Sequence, residues 1–474
     1  MEQDKISTFQ DTITAVSTPP GIGGIAVIRV SGPEALKIVN HAWKGADLTG
    51  IPSHTVHFGK YINTEDKIID EAVVAVFKAP RSFTGEDVVE ISMHGSKWIQ
   101  REILADLVKR GVRIAEPGEF TKRAFLNGKI DLAQAEGIAD LIAASSKAAH
   151  DLAISQLNGS FSKEFELLRE KLIEFASLIE LELDFSEEEV EFADRQALIN
   201  LLDSILKKIQ SLADSFAKGA VLKDGVPVVI AGIPNAGKSS LLNLLLGHDK
   251  AIVTDIPGTT RDILDDTTEI EGILYRFIDT AGIRNTDDVV EKIGVDRAKE
   301  AIKKAFLVIW LIDPSQPLLP QEEELEKFIN ENPSKPVIIL VNKADLNPNL
   351  SASSLDFLGN FSNSSQQNQS SNIIHFSTKT QQGLRELTEK LTQLTVKDSD
   401  PEKDIIVTNA RHYEALIKVE EALQQTKSNL LSSIPADLIA QDIREAISHL
   451  SSITGTITST HLLHSIFSRF CIGK

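Results

Sequence analysis

Val226-Pro-Val-Val-Ile-Ala231 runs into Gly232-Ile-Pro-Asn-Ala-Gly237-Lys238-Ser239, and Ser240 to Leu246 follows as an apolar segment of helical character. This stretch decides the fold of the chain's second half. A β-rich run, a glycine-bounded turn, then Lys and Ser heading a helix make the phosphate-binding loop pattern. Its glycines let backbone N–H groups turn toward phosphate oxygens, and the helix adds its positive N-terminal end. Lys238 is placed to reach the β and γ phosphates, and Ser239 to ligate Mg²⁺. The competing reading is a chance match in a glycine-containing turn. The strand before it and the helix after it supply the context that a chance match lacks.

Outward from this loop, Tyr275-Arg-Phe-Ile278, Leu307-Val-Ile-Trp-Leu-Ile312, Val337-Ile-Ile-Leu-Val341 and Ile373-Ile-His-Phe376 are short apolar runs, most of them separated by helical segments. That alternation predicts a parallel sheet covered on both faces. Two further motifs close successive strands. Asp279-Thr280-Ala281-Gly282 offers a carboxylate that holds Mg²⁺ through water and a Gly282 N–H that senses the γ-phosphate. Asn342-Lys343-Ala344-Asp345 offers a carboxylate for the guanine N1–H and exocyclic amine. Adenine has no such donor pair, and a site built on buried hydrogen bonds rejects the wrong base strongly, so the motif argues for GTP over ATP. Ser377-Thr378-Lys379 fits the weaker backbone motif that also touches guanine. Three motifs in order make coincidence untenable.

Between them, Thr259-Thr260-Arg261-Asp262 lies where a γ-phosphate-sensing switch is expected, with Thr260 as the second protein ligand of Mg²⁺. Ras-like enzymes place a water-orienting Gln directly after the Gly of the second motif. Here that residue is Ile283, so another group must orient water; Asp287, Asp288 and Glu291 are the nearby acids.

The rest of the chain divides by pattern. Residues 1–127 read as mixed α/β, with β-rich runs at Ile25 to Val30 and Ala72 to Phe77. Trp98, Ile99, Ile103, Leu104, Leu107 and Val108 fall at helical spacing, with Gly111 as a stop. Residues 128–222 form the first part of a helical region, marked by Leu157, Phe161, Phe165, Leu168, Leu172, Phe175 and Ile179. The acidic run Glu187 to Glu191 reads as a solvated face. Residues 223–387 are the α/β unit, and residues 388–474 return to helix, with Pro435 placed to start one. The α/β unit therefore reads as an insertion into a helical domain. Residues 351–372 are rich in Ser, Asn and Gln and read as a loop without chemistry.

Composition bounds the alternatives. At about 150 residues per domain, 474 residues suggest roughly three domains. The net charge of −19 excludes a whole-chain basic footprint for nucleic acid. The lone Cys471 excludes an internal disulfide and a Cys-rich zinc site, and it suits a reducing, cytoplasmic compartment. The most apolar run, Phe306 to Ile312, is too short to span a bilayer, so no membrane association is expected.

The order Gly-x-Pro-Asn-Ala-Gly-Lys-Ser-Ser, Gly-Thr-Thr-Arg-Asp, Asp-Thr-Ala-Gly-Ile-Arg and a final Cys-Ile-Gly-Lys resembles the MnmE (TrmE) family of bacterial and organellar tRNA-modification GTPases. Thr18-Pro-Pro-Gly21, Phe83-Thr-Gly-Glu-Asp87, Pro117-Gly-Glu-Phe120, Arg123-Ala-Phe-Leu-Asn127 and Asp131-Leu-Ala-Gln-Ala-Glu136 extend the resemblance over essentially the whole chain. It implies an α/β plus α fold: an N-terminal α/β tetrahydrofolate-binding domain that dimerises, a helical domain, and an inserted Ras-like P-loop G domain. It implies an aminomethyl-type group installed at C5 of the wobble uridine of certain tRNAs. The implied FAD-containing partner is MnmG, in a heterotetramer, and folate supplies the one-carbon unit in a 5-formyl or 5,10-methylene form.

Site residues carry over from the same resemblance. Nucleotide contacts fall at Asn235, Ala236, Gly237, Lys238, Ser239 and Ser240; at Thr254, Asp255, Ile256, Pro257, Gly258, Thr259 and Thr260; at Asp279, Thr280, Ala281 and Gly282; at Asn342, Lys343, Ala344 and Asp345; and at Ser377, Thr378 and Lys379. A K⁺ ion, held by the Asn235 side chain and backbone oxygens around Thr254, Ile256 and Thr259, substitutes for an arginine finger when two G domains meet. Glu291, twelve residues beyond Asp279, helps activate water. The residues alone read otherwise: Asn235 as a turn residue and Glu291 as a solvated carboxylate. Arg29, Glu90, Lys129 and Lys474 match the folate positions, and Cys471 is placed near the carbon-transfer site. On residue type alone Arg29 and Lys129 are surface charges, and Cys471 is a packed terminal residue. Thr460 and His461 stand where the family pattern has acids. Two alternatives remain: a ribosome-assembly GTPase of the Era or Der type, and a folate-dependent one-carbon transferase that GTP merely regulates.

Overall fold

The computed structural model describes residues 10–184, 195–247, 266–278, 300–346, 372–396, 405–432, 436–457, 459–470 and 472–473. The candidate positions Thr254 to Thr260, Asp279 to Gly282, Glu291, Cys471 and Lys474 lie outside these residues. So do Ile283, Asp287, Asp288, the acidic run at 187–191, Pro435 and residues 351–371. The chain divides into two compact units, residues 1–142, 156–206 and 418–474, and residues 143–155 and 207–417.

In the first unit, β1 (Ile13–Val16), β2 (Gly23–Ser31), α1 (Ala35–His41), β3 (Trp43–Lys44), β4 (Thr55–Ile62), β5 (Ile68–Phe77), β6 (Val88–Gly95), α2 (Lys97–Lys109) and β7 (Arg113–Ile114) form an α/β layer pair. The sheet order is β3-β4-β5-β6-β2-β1-β7, antiparallel except for the β1–β7 pair. Alternation assigns the faces. Ile28 and Val30, Val74 and Val76, and Val89 and Ile91 point into one core, where Leu36 and Val39 of α1 and Ile103 and Leu107 of α2 meet them. Trp98 and Val108, on the same apolar pattern, are exposed instead. One stripe of α2 is enough to cover the sheet, and the remaining positions of the pattern turn away from it.

Four helices follow: α3 (Glu119–Leu126), α4 (Leu132–Ala143), α5 (Lys147–Leu157) and α6 (Ser160–Asp184), before α7 (Arg195–Asp224). On α6, Phe161, Phe165, Leu168, Leu172, Phe175 and Ile179 are all buried, as their spacing requires.

In the second unit, β8 (Val226–Gly232), α8 (Lys238–Gly247), β9 (Asp266–Ile270), β10 (Ile273–Ile278), β11 (Leu307–Ile312), α9 (Leu318–Glu331), β12 (Val337–Val341), β13 (Ile373–His375) and α10 (Leu384–Val396) build a six-stranded sheet. Its order is β13-β12-β11-β8-β10-β9. The strands run parallel apart from β9, an antiparallel edge strand that strand alternation alone does not predict. β9 and β10 are joined by Glu271-Gly272, both with positive φ, the backbone of a tight two-residue hairpin. β11 is buried on both faces: Leu307, Ile309 and Leu311 enter one core, Val308, Trp310 and Ile312 the other. That double burial explains its uninterrupted apolar run.

The boundary expected after Leu387 falls inside α10. Leu384, Leu387 and Leu391 share one core with Val228, Ile230 and Phe277, so this helix belongs to the sheet. Leu152 of α5, Leu222 of α7 and Ile406 join the same core. Here the chain entering the sheet and the chain leaving it are laced together. Ser215 Oγ accepts a hydrogen bond from Val407 N at 3.0 Å, and Phe216 stacks on Tyr413 with ring centroids 4.6 Å apart. A Cβ on Gly219 would lie 2.1 Å from the Val407 carbonyl oxygen.

The chain closes with α11 (Ala410–Leu431), α12 (Ala436–Thr454) and α13 (Thr460–Phe467). In the first unit, α12 packs along α6. Among the described residues, no helix is long and apolar enough to cross a membrane.

Candidate functional sites

The phosphate-binding loop leaves the C-terminal end of β8, the strand at which the sheet order changes direction. Open α/β sheets bind ligands at such a switch point. Asn235 takes a left-handed φ of 63°, and Gly237 a φ of 101°. A Cβ on Gly237 would lie 2.3 Å from Asn342 Nδ2, so the position excludes any side chain. Lys238 folds back over the loop, its Nζ donating to the Gly232 and Ile233 carbonyls at 2.7 and 2.9 Å. Burial pushes its pKa below the ordinary 10.5. Ser239 and Ser240 follow in the first turn of α8.

The Asn342-Lys-Ala-Asp345 motif is wired to this loop. Asn342 Nδ2 donates to the Ala236 carbonyl at 2.7 Å, and Asn342 Oδ1 accepts from Thr378 N at 3.4 Å. Ser377 Oγ donates to Asp345 Oδ1 at 2.7 Å, and Ala344 N donates to the Phe376 carbonyl. One buried side chain, Asn342, thus fixes the loop at 232–240 against the loops at 342–345 and 377–379. The structure therefore gathers Asn235 to Ser240, Asn342 to Asp345 and Ser377 to Thr378 at one end of the sheet, with Lys379 beside them.

Sequence reading missed Asp313. It follows β11, is fully buried, and accepts Lys343 Nζ at 2.5 Å and the Ser315 hydroxyl at 2.6 Å. Burial pushes this carboxyl up, but the bonds from Lys343 and Ser315 outweigh it and hold it below its ordinary 3.8. Its backbone N–H and C=O both bond the buried Gln321 side chain. The only sequence signal was an acid directly behind a wholly apolar strand.

In the first unit, Arg29 and Glu90 are cross-strand partners on β2 and β6. They point away from the core, on the face opposite Ile28 and Ile91. Arg29 Nε and Nη2 both donate to Glu90 Oε1, at 2.9 and 2.7 Å. The guanidinium carbon lies 5.2 Å from the Phe83 ring centroid and 5.6 Å from that of Phe120, within cation–π range. The sequence treated Arg29 and Glu90 as separate contacts for a ligand; here they hold each other. Lys129 Nζ donates to the Pro80 carbonyl at 3.0 Å, on the loop that bears Phe83. The tail reaches the same sheet. Ser17 Oγ donates to the Gly473 carbonyl, next to Val16, whose β1 neighbour Ala15 pairs with Arg29.

A family model described as the MnmE helical domain matches residues 132–471. The chain belongs to the MnmE (TrmE) family. A second model, the GTP-binding protein TrmE N-terminus, matches residues 12–129. The chain is 47% identical to the tRNA modification GTPase MnmE of Cytophaga hutchinsonii, covering 100% of both chains. It is also 47% identical to the protein of that name from Parabacteroides distasonis, over 98% of this chain and 100% of the relative. The MnmE family thus spans both units, and four of the five motifs quoted from residues 18–136 fall within the TrmE N-terminal match, Asp131 to Glu136 lying beyond it.

Proposed function

We propose that this chain is a K⁺-stimulated GTP hydrolase acting in tRNA modification. With an FAD-containing partner, MnmG, it installs an aminomethyl-type group at C5 of the wobble uridine of certain tRNAs. The observation that carries this reading is the full-length likeness to tRNA modification GTPases of the family.

The geometry supports the division of labour. Backbone N–H groups of Asn235 to Ser240 and the head of α8 cradle the phosphates. Lys238 Nζ exchanges its two carbonyl acceptors for β and γ phosphate oxygens. Asp345 reads guanine, and Asn342 keeps base and phosphate loops in register. Ser239 and Thr260 would hold Mg²⁺, and Asn235 with Thr254, Ile256 and Thr259 would hold K⁺. When bound, these cations would supply positive charge against the charge that develops on the β–γ bridge. Glu291 orients the attacking water, the task Ile283 cannot perform. Hydrolysis drives two G domains together and apart.

Arg29, Glu90, Lys129 and Lys474 would bind a tetrahydrofolate derivative, whose bound one-carbon group is the unit transferred. The donor set fits: a carboxylate for pterin N–H groups, cations for the folate carboxylates, and the half-exposed Phe83 ring for stacking. Homodimerisation through this domain is supported by Ile25, Val56, Phe58 and Val73, exposed apolar residues on the sheet face that bears Arg29. Cys471 is the candidate thiol at the transfer site.

A mass-spectrometric nucleoside profile of tRNA from a deletion strain tests the reading. It is expected to lack the modified wobble uridine, and an unchanged profile rules the function out. GTP turnover is expected to be higher in K⁺ than in Na⁺ at equal ionic strength. Equal rates in the two salts would exclude the cation mechanism.

A further inference from the structure

Arg123 is among the largest side chains in the chain with no exposed surface. A guanidinium buried to that degree persists only where its charge is matched. Here the match is made by three acidic residues from three places. Arg123 Nη1 donates to Glu86 Oε1 at 3.1 Å and to the Asp11 carbonyl at 2.9 Å. Nη2 donates to Asp11 Oδ1 at 2.8 Å and Glu119 Oε1 at 3.0 Å. Burial pushes the Glu119 carboxyl up, but bonds from Arg113, the Glu116 N–H and Arg123 prevail and hold it below its ordinary 4.5. The Phe83-Thr-Gly-Glu-Asp87 and Pro117-Gly-Glu-Phe120 motifs, with Arg123, therefore meet in one ion network.

The network ends on the β5–β6 loop. Glu86 Oε2 accepts the Ser31 hydroxyl at 2.7 Å, and Ser31 also bonds Thr84 Oγ1 at 2.8 Å. The Thr84 carbonyl accepts Asn127 Nδ2, and the Pro80 carbonyl accepts Lys129 Nζ. Phe83 sits between these fixed points and faces Arg29. Ser31 lies two residues from Arg29 on β2, so loop and strand are bound at the place where the guanidinium emerges.

We propose that Arg123, acting through Glu86, is a positioning residue for the one-carbon site. It clamps the β5–β6 loop so that Phe83 and Arg29 form one ligand-facing wall. This rests on the reading of Arg29 and Glu90 as folate contacts. The forked guanidinium suits the site because its two terminal nitrogens reach Glu86, Glu119 and Asp11 at once, which a single ammonium point charge does less well.

The test is calorimetric binding of 5-formyltetrahydrofolate to the full chain. Arg123→Lys keeps the charge and loses the fork. Its affinity is expected to be at least about tenfold lower, with GTP affinity and basal hydrolysis within about twofold of the unaltered chain. Phe83→Leu is expected to weaken binding as well. The double variant is expected to bind no more weakly than the worse single variant, because both changes undo one wall. Additive losses would overturn the proposal, since they mark a general structural role for Arg123. Unaltered affinity in Arg123→Lys would overturn it too. If Arg123→Lys does not fold, Glu86→Gln takes its place with the same expectations. Failure of the unaltered chain to bind 5-formyltetrahydrofolate would overturn the folate reading itself, before any variant is compared.

Discussion

Asp345→Asn is expected to lower GTP affinity by about 10²- to 10⁴-fold and to admit XTP. Two hydrogen bonds to a charged acceptor are at stake, each contributing about 1.5–3 kcal/mol. An amide at this position keeps one acceptor for the base N1–H but turns a donor toward the exocyclic amine. Xanthine carries a carbonyl there, so the same amide suits it. The pocket should survive the change, because Ser377 Oγ still has an acceptor at residue 345 and Asn342 keeps its bonds to Ala236 and Thr378. Equilibrium titration with fluorescent GTP and XTP analogues checks the result. GTP affinity within a few-fold of the unaltered chain would mean that the base is read elsewhere.

Lys238→Ala is expected to reduce single-turnover GTP hydrolysis by about 10²- to 10³-fold, the range for losing one preorganised electrostatic contact. Folding should be little affected. The two carbonyls that Lys238 holds belong to Gly232 and Ile233, both only partly buried, and water can take over there. Rapid-quench measurement at saturating GTP separates chemistry from binding. Hydrolysis within about twofold of the unaltered rate would remove Lys238 from the catalytic account.

Much of the second unit was legible because its physics is local. Strands buried on both faces write continuous apolar runs, and phosphate loops need glycine where a backbone approaches closely, as at Gly237. Most of what escaped depends on partners distant in sequence, with β9 a local exception. β9 was missed because its hairpin turns on Glu271-Gly272, where the usual sequence cue is Asn or Asp before Gly. α10 was split because amphipathic spacing does not say which core a helix serves. Asp313 became visible only when Lys343, thirty residues later, was seen to meet it. In the first unit, Arg29 and Glu90 were reached through family resemblance alone, since a strand register 61 residues apart leaves no periodic signal. The Arg123 network was quoted as motif and explained only by its contacts.

The lacing at Gly219 and Val407 has a mechanical consequence. A cassette joined by two independent tethers can twist about either one and let the other go slack. Here the incoming helix and the outgoing segment touch through Ser215, Phe216 and Gly219, so they behave as a single two-ply strap. A load carried by either ply is shared with the other through these contacts.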